Sequence, residues 1–206
     1  MQRPRVVVYD VGGVLLDWDP RYLYSKIFDD APRVEWFLTE VCSPAWNVAQ
    51  DGGRPWADAE AEAIARHPGF AAEIRAFRSR WHEMVRGPIP GAVALLEDLY
   101  AESVPLYAIT NFAADTFRET TERFEFFDRF AGIIVSGDEH MLKPDPRIFQ
   151  LLEQRYGLDL PDCVFIDDVA KNCDGARACG MHAIQFVSPA QTRAALAELG
   201  ILEPPR

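Results

Sequence analysis

The feature that most limits the fold of this chain is a repeated alternation between helical and strand-like segments in its second half. From about residue 91 onward, amphipathic stretches such as GAVALLEDLYAES are followed by short apolar runs such as VPLYAIT, and the pairing recurs as far as HAIQFV. This alternation is typical of βαβ units, which build a parallel sheet with helices on both faces. The apolar run VVVY at 6–9 has the composition of a central strand buried on both faces. The sequence therefore predicts an α/β fold around a doubly wound parallel sheet.

The segment between residues 18 and 87 follows a different pattern. Its apolar residues recur at helical spacing, it shows no clear strand, and its prolines lie near plausible helix starts. We therefore expect an all-helical domain at 18–87, inserted into a core that consists of 1–17 and 88–206. The aromatic residues of this segment are more typical of packing between helices than of a cofactor site.

The acidic composition limits the partners that the protein can have. The 206 residues carry a formal net charge of -11. Nucleic acids and anionic membranes attract basic surfaces, so we expect neither as a partner. The sequence has no leader pattern and no apolar run of about 18 residues, and its cysteines fit no disulfide framework. We expect a cytoplasmic monomer or homodimer with reduced thiols.

Polar residues stand at the ends of the predicted strands. They are Asp10 after VVVY, Thr110 and Asn111 after PLYAI, Lys143 in the loop after GIIVS, and Asp167 and Asp168 after CVFI. Because open α/β sheets bind ligands at the carboxyl ends of their strands, we expect these side chains to share one crevice. Taken singly, each is also compatible with a helix cap, a turn or a solvated loop charge.

Four motifs in this order carry a family resemblance. DxGGVL, TN, KPDPRIF and FIDDxxxNxxGARxxG together resemble the haloacid dehalogenase superfamily, most members of which are phosphatases. The resemblance spans nearly the whole chain. It implies a Rossmann-like core, with the helical segment as a cap between the first two motifs, and a small phosphate ester as the substrate.

The resemblance also implies roles for the strand-end residues. Asp10 would be the nucleophile that forms an aspartyl-phosphate. A Mg²⁺ ion would be held by Asp10, the Gly12 carbonyl and Asp168. Lys143 would add positive charge, while Thr110 and Asn111 would bind the substrate, Thr110 at the phosphoryl oxygens. The residues expected to orient metal-bound water are Asp167 and Asn172.

Gly12 departs from the family pattern. Most phosphatases of the superfamily carry a second Asp at this position, which protonates the leaving alcohol and then deprotonates water. Glycine can offer its carbonyl to a metal but has no side chain to carry a proton, and general acid–base help is worth about 10² to 10⁴ in rate. The sequence offers replacements without ranking them: Asp17, Asp19, Asp51 and His82.

Several functions therefore remain open. The favoured one is a Mg²⁺-dependent phosphatase of a sugar phosphate, because the first motif resembles the DxGxV motif of bacterial alpha-D-glucose-1-phosphate phosphatases. A 2-haloacid dehalogenase is the second, although such enzymes replace the acids at Asp167 and Asp168. The third is a catalytically silent binding protein with the same fold. A phosphoryl mutase is disfavoured by the missing Asp.

Substrate choice is expected in the helical insertion, which would close over the core. The stretch SPAWNVAQDGGRPW is predicted to be a specificity loop in which Trp46 and Asn47 contact the substrate. Packing of Trp46 between cap helices is the alternative.

Overall fold

The computed structural model describes residues 4–203. Its strands are β1 (Val6–Tyr9), β2 (Leu16–Trp18), β3 (Val85–Pro88), β4 (Leu106–Thr110), β5 (Gly132–Val135), β6 (Cys163–Asp167) and β7 (His182–Gln185). Five of them form a parallel sheet in the order β5-β4-β1-β6-β7, and β2 pairs with β3 in a separate antiparallel ribbon. The predicted α/β class with a parallel sheet is confirmed.

The helices fall into an insertion and a core set. Between β2 and β3 lie α1 (Arg21–Ile27), α2 (Ala31–Trp36), α3 (Pro44–Asp51), α4 (Trp56–Arg66) and α5 (Ala71–Ser79). A π-helical turn, Phe37–Val41, continues α2. After β3 come α6 (Ala92–Ala101), α7 (Ala114–Thr121), α8 (Ser136–Glu139), α9 (Pro146–Tyr156), α10 (Ala170–Ala178) and α11 (Pro189–Glu198). None of the helices within 4–203 is long and apolar enough to cross a bilayer.

The central strand β1 explains why the sheet is covered on both faces. Its side chains alternate, so Val6 and Val8 pack in one cluster with Phe149 and other residues of α9, while Val7 and Tyr9 belong to the cluster on the opposite face. All four residues of β1 are buried. A strand that buries both faces needs apolar residues at consecutive positions, which is the pattern VVVY.

The pairing register of β1 fixes where the strand-end residues lie. Tyr9 aligns with Ala108 of β4 and with Ile166 of β6. The next residue of β1, Asp10, therefore lies level with Asp167, at the edge where Thr110 ends β4. The sheet brings together residues that are about 100 and 160 positions apart in the sequence, as the parallel arrangement predicted.

The insertion is helical apart from its ends, where the expectation of no strand is wrong. β2 and β3 pair antiparallel, with Leu16 opposite Pro88. The strand β3 has the sequence VRGP, in which glycine and proline give little strand propensity, so only the partner strand reveals it. The ribbon crosses the predicted boundaries at 17/18 and 87/88, and the division into domains stays a prediction.

Candidate active site

Asp10 is held in one orientation at the carboxyl edge of the sheet. Its backbone N–H donates to the Ile166 carbonyl at 2.8 Å, which extends the sheet ladder to this residue. Its side chain is buried, and Oδ1 accepts hydrogen bonds from the Val11 N–H at 2.7 Å and from Lys143 Nζ at 2.8 Å. The carboxylate is therefore fixed before any ligand arrives.

The buried Lys143 links two carboxylates. Its Nζ lies 2.8 Å from Asp10 Oδ1 and 2.7 Å from Asp167 Oδ2. Burial disfavours the charged form of a lysine, but Asp10 and Asp167 outweigh it and raise the pKa of Lys143 above its ordinary value. Lys143 is thus paired with two carboxylates in the buried crevice rather than being a solvated charge on a loop.

Asn111 has a different use from the predicted substrate contact. Its Oδ1 accepts from the Lys143 backbone N–H at 2.8 Å, and its Nδ2 donates to the Lys143 carbonyl at 3.2 Å. Both ends of the amide are occupied by the main chain of one residue. Asn111 therefore positions Lys143, and its contact with substrate stays a prediction.

Asp167 and Asn172 form the other support of Lys143. Asp167 is fully buried; its Oδ1 accepts from the Val169 N–H at 2.8 Å, and Asn172 Nδ2 lies 3.1 Å from each carboxylate oxygen. With Lys143 on Oδ2, both carboxylate oxygens already have donors. The structure thus uses these two residues to hold the lysine, and their orientation of metal-bound water stays a prediction.

A cluster of carboxylates marks a candidate cation site. Asp10, Asp167 and Asp168 each offer an oxygen, and these oxygens lie within 4.8 Å of one another. Burial raises the pKa of Asp10, Lys143 opposes this shift and Asp167 reinforces it. Three carboxylates against the single ammonium of Lys143 leave an excess of negative charge, and hard oxygen donors of this kind suit a divalent cation such as Mg²⁺.

Gly12 and Gly13 differ in whether the structure has room for a Cβ atom at their position. Gly13 has a φ of +77°, and a Cβ there would lie 2.6 Å from Asp168 Oδ2, so this close approach requires glycine. A Cβ on Gly12 would meet no atom within 4 Å among the residues described. The missing side chain at Gly12 is therefore not imposed by crowding.

Thr110 ends β4 with a buried hydroxyl. Within the described part of the chain, its Oγ1 has no hydrogen-bond partner. A buried hydroxyl without a partner costs free energy, which a ligand oxygen at this edge would recover. The position agrees with the predicted contact to a phosphoryl group.

Two adjoining cavities open beside this edge. A small one of about 60 Å³ is lined by Gly12, Trp18, Asn47, Asp51, Trp81, Asn111 and Phe112. A larger one of about 310 Å³ shares Trp18, Asn47 and Asp51 with it and extends among the helices of the insertion. We call the first the site cavity and the second the cap chamber. Their shared residues make a continuous lining from Gly12 into the insertion.

The predicted specificity loop is mostly helix α3. Ser43 caps this helix by accepting from the Trp46 N–H at 3.2 Å, and Pro44 follows at its first position. The Trp46 ring packs 5.1 Å from Phe77, its Nε1 donates to the Ala59 carbonyl at 3.2 Å, and it lines neither cavity. These contacts support the packing alternative for Trp46, whose contact with substrate stays a prediction, whereas Asn47 lines both cavities.

Three further residues, Trp18, Trp81 and Asp51, are functional candidates that sequence patterns do not single out. Trp81 was grouped with packing aromatics, yet it stacks on Trp18 at 5.7 Å and both rings line the site cavity. Asp51, one of four unranked acids and bases, lines both cavities. Trp18 lies in strand β2, Asp51 ends α3 and Trp81 follows α5, and no local sequence signal separates these three from ordinary packing residues.

Comparisons with known proteins agree with this geometry. The profile of the haloacid dehalogenase-like hydrolases matches residues 4–180. Phosphatase MT3486 of Mycobacterium tuberculosis is 41% identical over 197 residues, which cover 91% of this chain and 89% of that protein. Sesquiterpene phosphatase astK of Aspergillus oryzae is 26% identical over 195 residues, with coverages of 95% and 96%.

A solved structure shows the same fold. The HAD family enzyme bt-2542 of Bacteroides thetaiotaomicron, in complex with magnesium and inorganic phosphate, has a TM-score of 0.67 at 22% identity, covering 88% of this chain and 93% of that chain. The family profile spans most of the sequence, and the resembling motifs meet at one edge of the sheet. This protein therefore belongs to the haloacid dehalogenase-like hydrolases.

Proposed function

We propose that this protein is a Mg²⁺-dependent phosphatase that hydrolyses a small phosphate monoester through an aspartyl-phosphate on Asp10. The observation that carries the proposal is the ammonium of Lys143, held between Asp10 and Asp167 beside the third carboxylate of Asp168. The phosphatase names of two relatives and the magnesium and phosphate complex of bt-2542 support it.

The metal would be held by Asp10, the Gly12 carbonyl and Asp168. When bound, Mg²⁺ supplies charge neutralisation that lets an anionic carboxylate approach an anionic ester. The excess of negative charge in this cluster fits that requirement, since Lys143 alone does not balance it.

The chain's own residues would then carry the reaction. The Asp10 carboxylate attacks phosphorus and displaces the alcohol oxygen, which leaves with its bonding electrons. Lys143 and the Thr110 hydroxyl hold the phosphoryl oxygens while charge builds on them. Water then attacks phosphorus, releases phosphate and restores Asp10. Placing the nucleophile on a fixed strand end lowers the cost of orienting it.

The cap chamber supports a more apolar alcohol than the sugar that the sequence suggested. Its hydrocarbon lining includes Leu38, Val48 and Phe77. Two of its polar side chains are already engaged: Arg21 pairs with Glu35, and Ser43 caps α3. Apart from Asn47 and Asp51 at the boundary with the site cavity, the chamber offers few partners for sugar hydroxyls, and each buried hydroxyl left unpaired would cost about 1 to 3 kcal/mol.

We therefore infer that the leaving alcohol is largely apolar. The relative from Aspergillus oryzae, a sesquiterpene phosphatase, is in accord with this substrate class. The narrower resemblance to alpha-D-glucose-1-phosphate phosphatases remains a prediction that the same assay tests.

The test is phosphate release from 4-nitrophenyl phosphate, a prenyl phosphate and glucose 1-phosphate, with Mg²⁺ and with EDTA. We expect Mg²⁺-dependent hydrolysis that the Asp10→Asn variant loses, with the prenyl ester preferred over the sugar ester. Release that is unaffected by EDTA and by Asp10→Asn would contradict the phosphatase proposal. A preference for glucose 1-phosphate would contradict only the apolar substrate class.

A further inference from the structure

The site cavity holds a single titratable side chain. Of the residues that line it, only Asp51 can gain or lose a proton near neutral pH; the others are Gly12, Trp18, Asn47, Trp81, Asn111 and Phe112. The glycine at position 12 and the carboxyl of Asp51 thus face the same small space. Among these residues, Asp51 is therefore the one candidate to carry the proton that a side chain at position 12 would have carried.

Asp51 is fixed by both the insertion and the core. As the last residue of α3, it accepts at Oδ2 from Asn47 Nδ2 at 3.1 Å, one helical turn earlier. Its main-chain carbonyl accepts from Ser136 Oγ. The carboxyl therefore occupies a defined position over the sheet edge.

The other candidates for proton transfer are committed elsewhere. The Asp17 carboxylate accepts from the Tyr22 hydroxyl at 2.8 Å, and the Asp19 carboxylate accepts from the Arg21 backbone N–H at 2.8 Å. His82 lines a separate surface depression together with Lys26 and Arg86. None of the three lines the site cavity or the cap chamber. The structure thus ranks candidates that the sequence left equal.

We propose that Asp51 is the catalytic acid and base of the phosphatase reaction, in place of the side chain that Gly12 lacks; this rests on the proposed function. As the P–O bond to the alcohol breaks, the Asp51 carboxyl gives its proton to the departing oxygen. The resulting carboxylate then takes a proton from a water molecule, whose oxygen attacks the phosphorus of the aspartyl-phosphate. The P–O bond to Asp10 breaks, phosphate leaves and Asp51 is again protonated.

The environment of Asp51 suits both halves of this cycle. Burial raises the pKa of Asp51 to about 7. The Ala113 N–H and Lys143 lower this pKa, whereas the charge of Asp10 raises it. A group of this kind is present in both protonation states near neutral pH, where an acid that must later act as a base is most effective.

The leaving group provides the test, because 4-nitrophenol needs little protonation and an alkyl alcohol needs it fully. Wild type, Asp51→Asn and the matched control Asp17→Asn are compared on 4-nitrophenyl phosphate and on a primary alkyl phosphate, in rapid-mixing and steady-state assays. For Asp51→Asn we expect a burst of 4-nitrophenol equal to the enzyme concentration, followed by slow turnover. Its turnover of the alkyl ester should fall by about 10² to 10⁴, while Asp17→Asn stays near wild type.

The outcomes distinguish failure of the Asp51 proposal from failure of the phosphatase proposal on which it rests. Wild-type kinetics for Asp51→Asn on both esters, or equal losses on both without a burst, would overturn the role of Asp51. Absence of Mg²⁺-dependent hydrolysis by the wild type would instead overturn the phosphatase proposal itself. A circular dichroism spectrum of Asp51→Asn that matches the wild type establishes that the variant is folded.

Discussion

Lys143 Nζ lies 2.8 Å from Asp10 Oδ1, with both groups buried at the carboxyl edge of the sheet. The pair places a fixed positive charge against the proposed nucleophile before any substrate binds. Such preorganisation is effective because the charge does not have to be assembled during the reaction.

Lys143→Met should therefore lower kcat by at least about 100-fold, since it removes a preorganised charge while keeping most of the side-chain length. The control is Lys26→Met, which removes an exposed lysine paired with Glu83 at 2.9 Å. Such surface pairs are worth about 0 to 1 kcal/mol, so this control should retain activity. Equal kcat values for Lys143→Met and wild type would place Lys143 outside the reaction.

Asn111→Ala should lower kcat by about 10- to 100-fold with little change in KM, because the variant loses the two hydrogen bonds that position the Lys143 main chain. Steady-state kinetics on one ester measures both constants. If instead KM rises while kcat is unchanged, Asn111 binds substrate, and the predicted contact would replace the positioning role.

Asp51 should make stability depend on pH in an unusual direction. Its pKa of about 7 in the folded protein lies above the value of about 3.9 for an unfolded chain, so the folded state binds more protons between these values. Its contribution to stability is therefore present below pH of about 4 and is lost as the pH rises towards 7.

Asp51→Asn should accordingly be more stable than the wild type at pH 8, by up to about 4 kcal/mol, and should lose this advantage in acid. Urea unfolding in EDTA at several pH values measures the difference. A variant that is less stable than the wild type at pH 8 would show that the ionised carboxylate is stabilised by its surroundings.

Gly12→Asp should restore proton transfer to Asp51→Asn, because the position has room for a Cβ and faces the same cavity. We expect the double variant to hydrolyse a primary alkyl phosphate at least about 10-fold faster than Asp51→Asn alone. Gly13→Ala is the steric contrast and should lose activity, since its Cβ would approach Asp168 Oδ2. If the double variant hydrolyses the alkyl phosphate no faster than Asp51→Asn, a carboxyl at position 12 cannot take over proton transfer from Asp51.

The sequence predicted those parts of the site that depend on strand order. Asp10, Lys143 and Asp167 could be brought together from sequence because parallel strands end at one edge, whatever the details of side-chain packing. The sequence did not show that Asn111 and Asn172 hold other site residues, since hydrogen-bond partners depend on loop geometry that no periodic pattern encodes.

The insertion was harder to predict for a related reason. Trp46 and Asp51 lie on the same short helix, yet one packs inward and the other lines the cavities. Helical periodicity predicts that a helix has a buried face, but it does not predict which residues contact that face. The strand β3 was missed because its pairing with β2 links positions separated by the whole insertion.

The proposed nucleophilic role of Asp10 is tested by locating the phosphoryl group during turnover. The enzyme is mixed with a phosphate ester and Mg²⁺, quenched in acid within the first turnover, and its peptides are analysed by mass spectrometry. We expect a phosphorylated carboxylate on the peptide that contains Asp10, absent from Asp10→Asn and lost as turnover proceeds. Hydrolysis of the ester without this adduct, or with the phosphoryl group on another residue, would contradict it.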